Sequence, residues 1–384
     1  MRKMAIAAVV GSAGVVSMLS MMYLQLASPP DARRPPVAVA PPPEQAFATV
    51  RVFYATDRTR TGQAEPAQFY GSGRGSLELG FCDVSIPKGH DRGQIEAPSV
   101  WRLEFRPDPR KHVVLLNVEP VFAPRYLDAL RERIQASSGR EAFVFVHGYN
   151  NTFEDAALRC AQIAHDLKFS GAPILYSWPA QGEVLDYGVD SDNALWSEPH
   201  MVEFLAGVAR ETGAEKIHLI AHSMGTRVLT GALRTLAAQP SLSPVPEFHQ
   251  VILAAPDIDA AIFERDIAEK IHGTAQRITI YASANDKALA LSKKLHGYPR
   301  LGDAGPRIRV FPTLRKYEVV DASEVETGLL GHAYVGDSVT VLDDLRGVLS
   351  GIEAGRRGLL PRRGGAFWTI ATQQAKLPRR ELLR

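Results

Sequence analysis

From about Pro124 to residue 350, short runs of unbroken apolar residues alternate with segments whose apolar positions recur every three to four residues. The runs AFVFVHG, APILYSWP, KIHLIAHS, HQVILAAPD, RITIYAS and KYEVVDAS have the length and texture of strands buried on both faces. Between them RYLDALRERIQAS, residues 152–169, HMVEFLAGVARETG, MGTRVLTGALRTLAA, IDAAIFERDIAEKI, NDKALALSKKLHG and DSVTVLDDLRGVLS read as amphipathic helices. Thr152 is the expected N-cap of the second, with Asp155 in its first turn, and Gly213 ends the third. The alternation predicts an α/β fold, a mostly parallel sheet with helices on both faces. Upstream, VRVFYAT, SLELGFCDVSIP, VWRLEF and HVVLLNVEP are β-type runs broken by Gly, Pro and Asp, which predicts antiparallel lead-in strands at one edge. Residues 182–199 (GEVLDYGVDSDNALWSEP) interrupt the alternation, as part of a cap or substrate wall or as a plain surface insertion.

The ends differ from the body. After Arg2 and Lys3, Met4 to Ala27 carries no charge, close to the ~20 apolar residues that span a bilayer. Ala27 suits the −1 position of a cleavage site and Gln25 does not suit −3, which favours an uncleaved anchor over a cleaved signal. Residues 1–28 are thus expected to be an N-terminal membrane anchor or signal segment, 29–47 a Pro-rich linker, 48–354 the folded domain and 355–384 a basic flexible tail with paired arginines. This arrangement predicts a cell-envelope location, inner-membrane anchored or periplasmic/secreted. A net charge of +2 gives no reason to expect a nucleic-acid partner. Cys82 and Cys160 are too few and too far apart for a metal site or a disulfide framework, and read as small buried residues. Oligomeric state is not signalled.

The chemistry concentrates at Ala221-His222-Ser223-Met224-Gly225, which follows an apolar strand and opens a helix. A tight strand-to-helix turn lifts a serine hydroxyl above the sheet and crowds the residues two before and two after, so small ones are needed there. The helix beginning at Met224 aims its positive end at a developing anion. A serine hydroxyl needs a base, and on such sheets the partners follow in the order Ser, acid, His. His332 lies in the loop before the last helix, within reach of the turn, whereas His249 precedes a strand, His272 ends a helix and His296 sits late in one. Asp286 follows the RITIYAS strand at its C-terminal end and is the expected acid; Asp257 and Asp259, after the preceding strand, are rivals, with Asp259 also suited to helix capping. The backbone amides of Met224 and Tyr149 are the expected oxyanion-hole donors, the second from the turn His147-Gly148-Tyr149-Asn150.

The segments FVFVHGYNNTFEDA, ILYSWPA, AHSMG, YASANDKAL and GHAY, with VFYATDR and DVSIPKGHDRGQIE upstream, resemble a bacterial group of esterase/lipase-like α/β-hydrolases of undefined substrate. The resemblance covers roughly residues 49–350 and implies the α/β-hydrolase fold with a Ser223–Asp286–His332 triad. The resulting expectation is a serine hydrolase cleaving a small-molecule acyl ester or lipid through an acyl-enzyme. A catalytically silent binding or scaffold module at the envelope, and amide or thioester cleavage on the same triad, are the alternatives. With no dinucleotide loop, P-loop or HExxH, no cofactor is expected.

Overall fold

The structure, a computed structural model, describes residues 46–182, 186–239, 247–303, 312–325, 332–362 and 367–370. The expected anchor or signal segment and all but the last two residues of the linker lie outside them. Among the described residues no helix is long and apolar enough to cross a membrane.

The strands are β1 (Phe47–Arg60), β2 (Tyr70–Pro87), β3 (Val114–Val121), β4 (Glu141–Val146), β5 (Ala172–Ser177), β6 (Lys216–His222), β7 (Phe248–Ala254), β8 (Ala275–Ala282), β9 (Glu318–Asp321), β10 (Leu360–Pro361) and β11 (Phe367–Thr369). They form one sheet in the order β10-β11-β9-β8-β7-β6-β4-β5-β1-β2-β3. The run from β11 to β1 is parallel, while β2 and β3 at one edge and β10 at the other pair antiparallel. The principal helices are α1 (Ala123–Gln135), α2 (Phe153–Asp166), α3 (Tyr187–Glu211), α4 (Gly225–Ala238), α5 (Lys287–His296) and α6 (Val339–Leu349). This is the mostly parallel α/β sheet with antiparallel lead-in strands that the apolar pattern predicts, in the α/β-hydrolase fold that the resemblance implies.

Unbroken apolar strands follow from having two cores to fill. In β4, Ala142, Val144 and Val146 face a core shared with α1, α3 and α4, and the intervening Phe143 and Phe145 face another shared with α2 and α6. Thr152 caps α2 as expected, its hydroxyl accepting from the Asp155 amide while the Asp155 carboxylate accepts from the Thr152 amide. Cys82 and Cys160 are buried and unpaired.

Three local expectations need correction. Residues 187–199, which broke the alternation, are the first half of α3, running through Pro199 into the expected helix. Asn193, Ala194 and Ser197 are buried on it, so packing outweighs the weak helix propensity of the segment. VWRLEF is not a strand: Val100–Arg102 is a single 3-10 turn inside the β2–β3 connection, and among the described residues no strand lies beside it to take its backbone bonds. Finally, residues 355–384 are expected to be a basic flexible tail; 363–366 and 371–384 lie outside the described residues, but β11 pairs with β9 and extends the sheet. Arg357, counted as a solvated charge, is buried against Glu318 (2.5 Å) and Asp344 (2.8 Å). Tertiary carboxylates turn an apparent surface charge into an interior clamp.

Candidate active site

Every parallel strand ends at one rim of the sheet, and the loops leaving β4, β6, β8 and β9 bring the candidate residues there. Ser223 follows β6 directly with φ of +51°, a left-handed conformation that costs a non-glycine residue roughly 1–2 kcal/mol. The turn is held by its backbone: Ser223 N–H donates to the Ala254 carbonyl (2.9 Å). The Ser223 carbonyl accepts from the Thr226 hydroxyl (2.6 Å) and from the Thr226 and Asp257 amides. Ser223 is buried at 4% exposure, with α4 starting two residues on. A Cβ on Gly225 would drive into the His147 carbonyl, which is why this position must be small.

Asp286 and His332 meet. The imidazole Nδ1–H donates to Asp286 Oδ2 at 2.7 Å, while Oδ1 of the same carboxylate accepts from the Leu289 amide at 2.9 Å and caps α5. One oxygen of Asp286 thus meets His332 while the other caps α5. The rivals are occupied elsewhere. Asp257 is buried between Arg300 (2.8 Å) and Arg227 (3.5 Å) and accepts from Ser292 (2.7 Å) and the Tyr187 hydroxyl. Asp259 caps the next helical segment by accepting from the Ala261 and Ile262 amides. His296 points back to its own helix, at the Ser292 carbonyl (2.9 Å), and packs on Tyr187. His249 packs edge-on against His218 at 5.2 Å, beside the opposite end of β6.

His332 is tied to the elbow through a residue that the sequence reading gave no role. His222 Nε2–H donates to the His332 carbonyl (3.0 Å), and the two rings lie 4.7 Å apart. A carbonyl only accepts, so His222 carries its proton on Nε2. Burial, with the neighbouring His332, pushes its pKa down to about 3, so His222 stays neutral.

The HGYN turn lies against the same elbow. A Cβ on Gly148 would sit 2.8 Å from His222 Nδ1 and 2.9 Å from Ser223 Cβ, so only glycine lets this backbone come so close. Asn150 is left-handed at φ +58°, which turns the chain away, and the Tyr149 ring packs on Tyr187 at 5.4 Å. Behind the turn sits Arg58, fully buried. Its guanidinium donates to the carbonyls of Asn151 (2.7 Å), Ala180 (2.9 Å) and Gly71 (3.1 Å) and to Ser177 Oγ (2.9 Å). Desolvation lowers its pKa to about 10, still charged at neutral pH. His147 stacks on Trp178 at 5.2 Å, and burial and Arg58 push its pKa down to about 3. It is a neutral wall of the turn. Arg58 was visible only as part of YATDR, and nothing in a single sequence marks an arginine as interior.

A cavity of about 510 Å³ opens between α3, α4 and the loop after β7, with Leu195, Arg227, Ile258 and His296 among its walls. It is not lined by Ser223, Asp286 or His332. Among the described residues no cluster of side chains could hold a metal ion.

A family profile described as "Alpha/beta hydrolase of unknown function (DUF900)" matches residues 126–348. An uncharacterized protein of Nostoc sp. is 34% identical over 64 residues, which is 17% of this chain and 17% of that protein. The match thus spans about a sixth of the curated relative. Among solved structures, a provisionally assigned cell surface hydrolase of Lactobacillus plantarum WCFS1 is 10% identical, with a TM-score of 0.34 over 56% of this chain and 92% of that one. An inhibited esterase B of Lactobacillus rhamnosis is also 10% identical, with a TM-score of 0.33 over 88% and 95%. At such identities these likenesses do not extend to chemistry.

Proposed function

Because the chain belongs to the alpha/beta hydrolases of unknown function grouped as DUF900, we propose that it is a serine hydrolase acting on a carboxylic ester, with Ser223 as nucleophile, His332 as base and Asp286 as the acid that holds it. The observation that carries the reading is the 2.7 Å contact of Asp286 with His332, on a loop bonded to the left-handed turn that bears Ser223. In this mechanism the Ser223 hydroxyl attacks the acyl carbonyl as His332 takes its proton. The Asp286 carboxylate stabilises the imidazolium, which then protonates the leaving alcohol, and water releases the acyl group by the reverse sequence. The amides of Met224 and Tyr149 bind the tetrahedral oxyanion. The closeness of Gly148 to Ser223 Cβ supports that role for its turn, and the positive end of α4 adds to it. The uncharged run Met4–Ala27 would hold this activity at the cell envelope, through an anchor or a secretion signal.

A fluorophosphonate probe tests the assignment. Wild type should label at one site and Ser223→Ala not at all, while His332→Ala should label slower by roughly 10⁴-fold or more. A folded wild type that stays unlabelled would instead make this a silent hydrolase fold used for binding. Ester and amide substrates with a common acyl group then separate ester cleavage from amide cleavage.

A further inference from the structure

We propose that the connection between β2 and β3 is a membrane-contact element, docking the protein on an anionic lipid surface through Trp101, Leu103 and Phe105. These three are 95%, 77% and 77% exposed, within five residues of one another. Scattered exposed apolar residues need no explanation, but three large ones on one short tip do. Leu103 is held left-handed at φ +58°, a strained state for a leucine that is largely exposed.

The tip stands on a fixed base. His112 is bracketed by Glu104 Oε2 (3.1 Å) and the Asp108 amide (2.9 Å), and Glu104 also accepts from the Ser99 amide (3.2 Å). Further down, His90 lies between Glu96 and Asp166, each at 2.9 Å, and so ties the loop to the end of α2. The apolar side chains are thus presented outward by an ordered hairpin.

Charge selects the partner. Arg102, Arg106, Arg110 and Lys111 flank the tip, all exposed. Glu104 is taken up by His112 and Lys111, and Asp108 by Arg110, while Arg102 and Arg106 make no ion pair with a described residue. Aromatic and aliphatic tips with arginines alongside suit the headgroup layer, where rings sit at the interface and guanidinium groups reach phosphates.

Position agrees. Phe47 pairs with Pro87 and Val114 with Ser85, so the loop leaves the sheet at the rim where β1 begins. The parallel strands begin at that rim, whereas Ser223 lies at the opposite one. The inference does not depend on the hydrolase reading.

Tryptophan quenching in the full chain tests it. The protein is added to phosphatidylcholine vesicles, with or without about a third phosphatidylglycerol, carrying brominated acyl chains. The Trp101 contribution is the difference between wild type and Trp101→Phe, which removes one of 4 tryptophans. Bromine should quench that component at least twofold in the anionic vesicles. Leu103→Glu and the double change Arg102→Ala, Arg106→Ala should each relieve most of the quenching. All variants keep the N-terminal run, so a difference among them reports the loop. A Trp101 component that bromine leaves unchanged, or that shifts with protein concentration without lipid as a contact between copies would, overturns the proposal.

Discussion

Replacing Asp286 by asparagine separates the two tasks of this side chain. One oxygen caps α5 through the Leu289 amide at 2.9 Å, and the other holds His332 Nδ1 at 2.7 Å. Asparagine caps a helix about as well as aspartate and fills the same volume, so α5 should keep its start. Stability should fall by no more than about 1.5 kcal/mol, the worth of an ordinary hydrogen bond. The imidazolium formed during attack, however, loses the negative charge beside it, and the amide can hold the ring in the wrong tautomer. The same change in a serine-protease triad slows turnover by about 10⁴, which is about 5 kcal/mol of barrier. Asp286→Ala should match that loss in rate and cost about 1 kcal/mol more in stability, because it also removes the cap. The assay pairs the rate of fluorophosphonate labelling with a denaturant midpoint for each variant. If Asp286→Asn labelled within about tenfold of wild type at an unchanged midpoint, Asp286 would be a helix cap only, and the proposed triad would be wrong.

Gly148→Ala should cost about 1–3 kcal/mol and slow labelling by roughly 10²-fold, since its methyl group would meet Ser223 Cβ at 2.9 Å and push the turn from the elbow. Gly207→Ala, in α3 with nothing within 4 Å, should leave labelling unchanged and stabilise the protein slightly, as melting and probe assays would show. Acid sensitivity follows from His147 and His222, whose pKa values drop from 6.5 to about 3 on folding. Both stay neutral in the native state, so their contribution is complete above pH 6.5 and is lost as the unfolded chain takes up protons between 6.5 and about 3. At about pH 5 each should cost roughly 2 kcal/mol, seen as a falling urea midpoint that His222→Gln partly flattens; an unchanged midpoint over that range would refute it.

Much of the architecture was legible because it depends on local pattern. Strands such as AFVFVHG announced burial on both faces, and Thr152 with Asp155 announced a helix start. Order along the chain was enough to bring forward Asp286 and His332, which the structure joins. Where local pattern and packing disagreed, packing prevailed. Residues 187–199 read as an interruption because Gly, Asp, Ser and Pro are poor helix formers, yet their buried side chains hold them in α3. VWRLEF has strand-forming residues and, among the described residues, no neighbouring strand to bond with.

What the chain alone determined, then, is the α/β alternation, the small residues around Ser223 and the candidate acid and base, since each is a matter of residue type, spacing or order. Only the folded structure decided which charges are interior. Arg58 behind the HGYN turn, Arg357 on Glu318 and Asp344, and Asp257 between two arginines all look like surface residues in a string of letters. An ionised group enters the interior only where its partners are already waiting, and those partners come from distant segments that meet when the sheet forms.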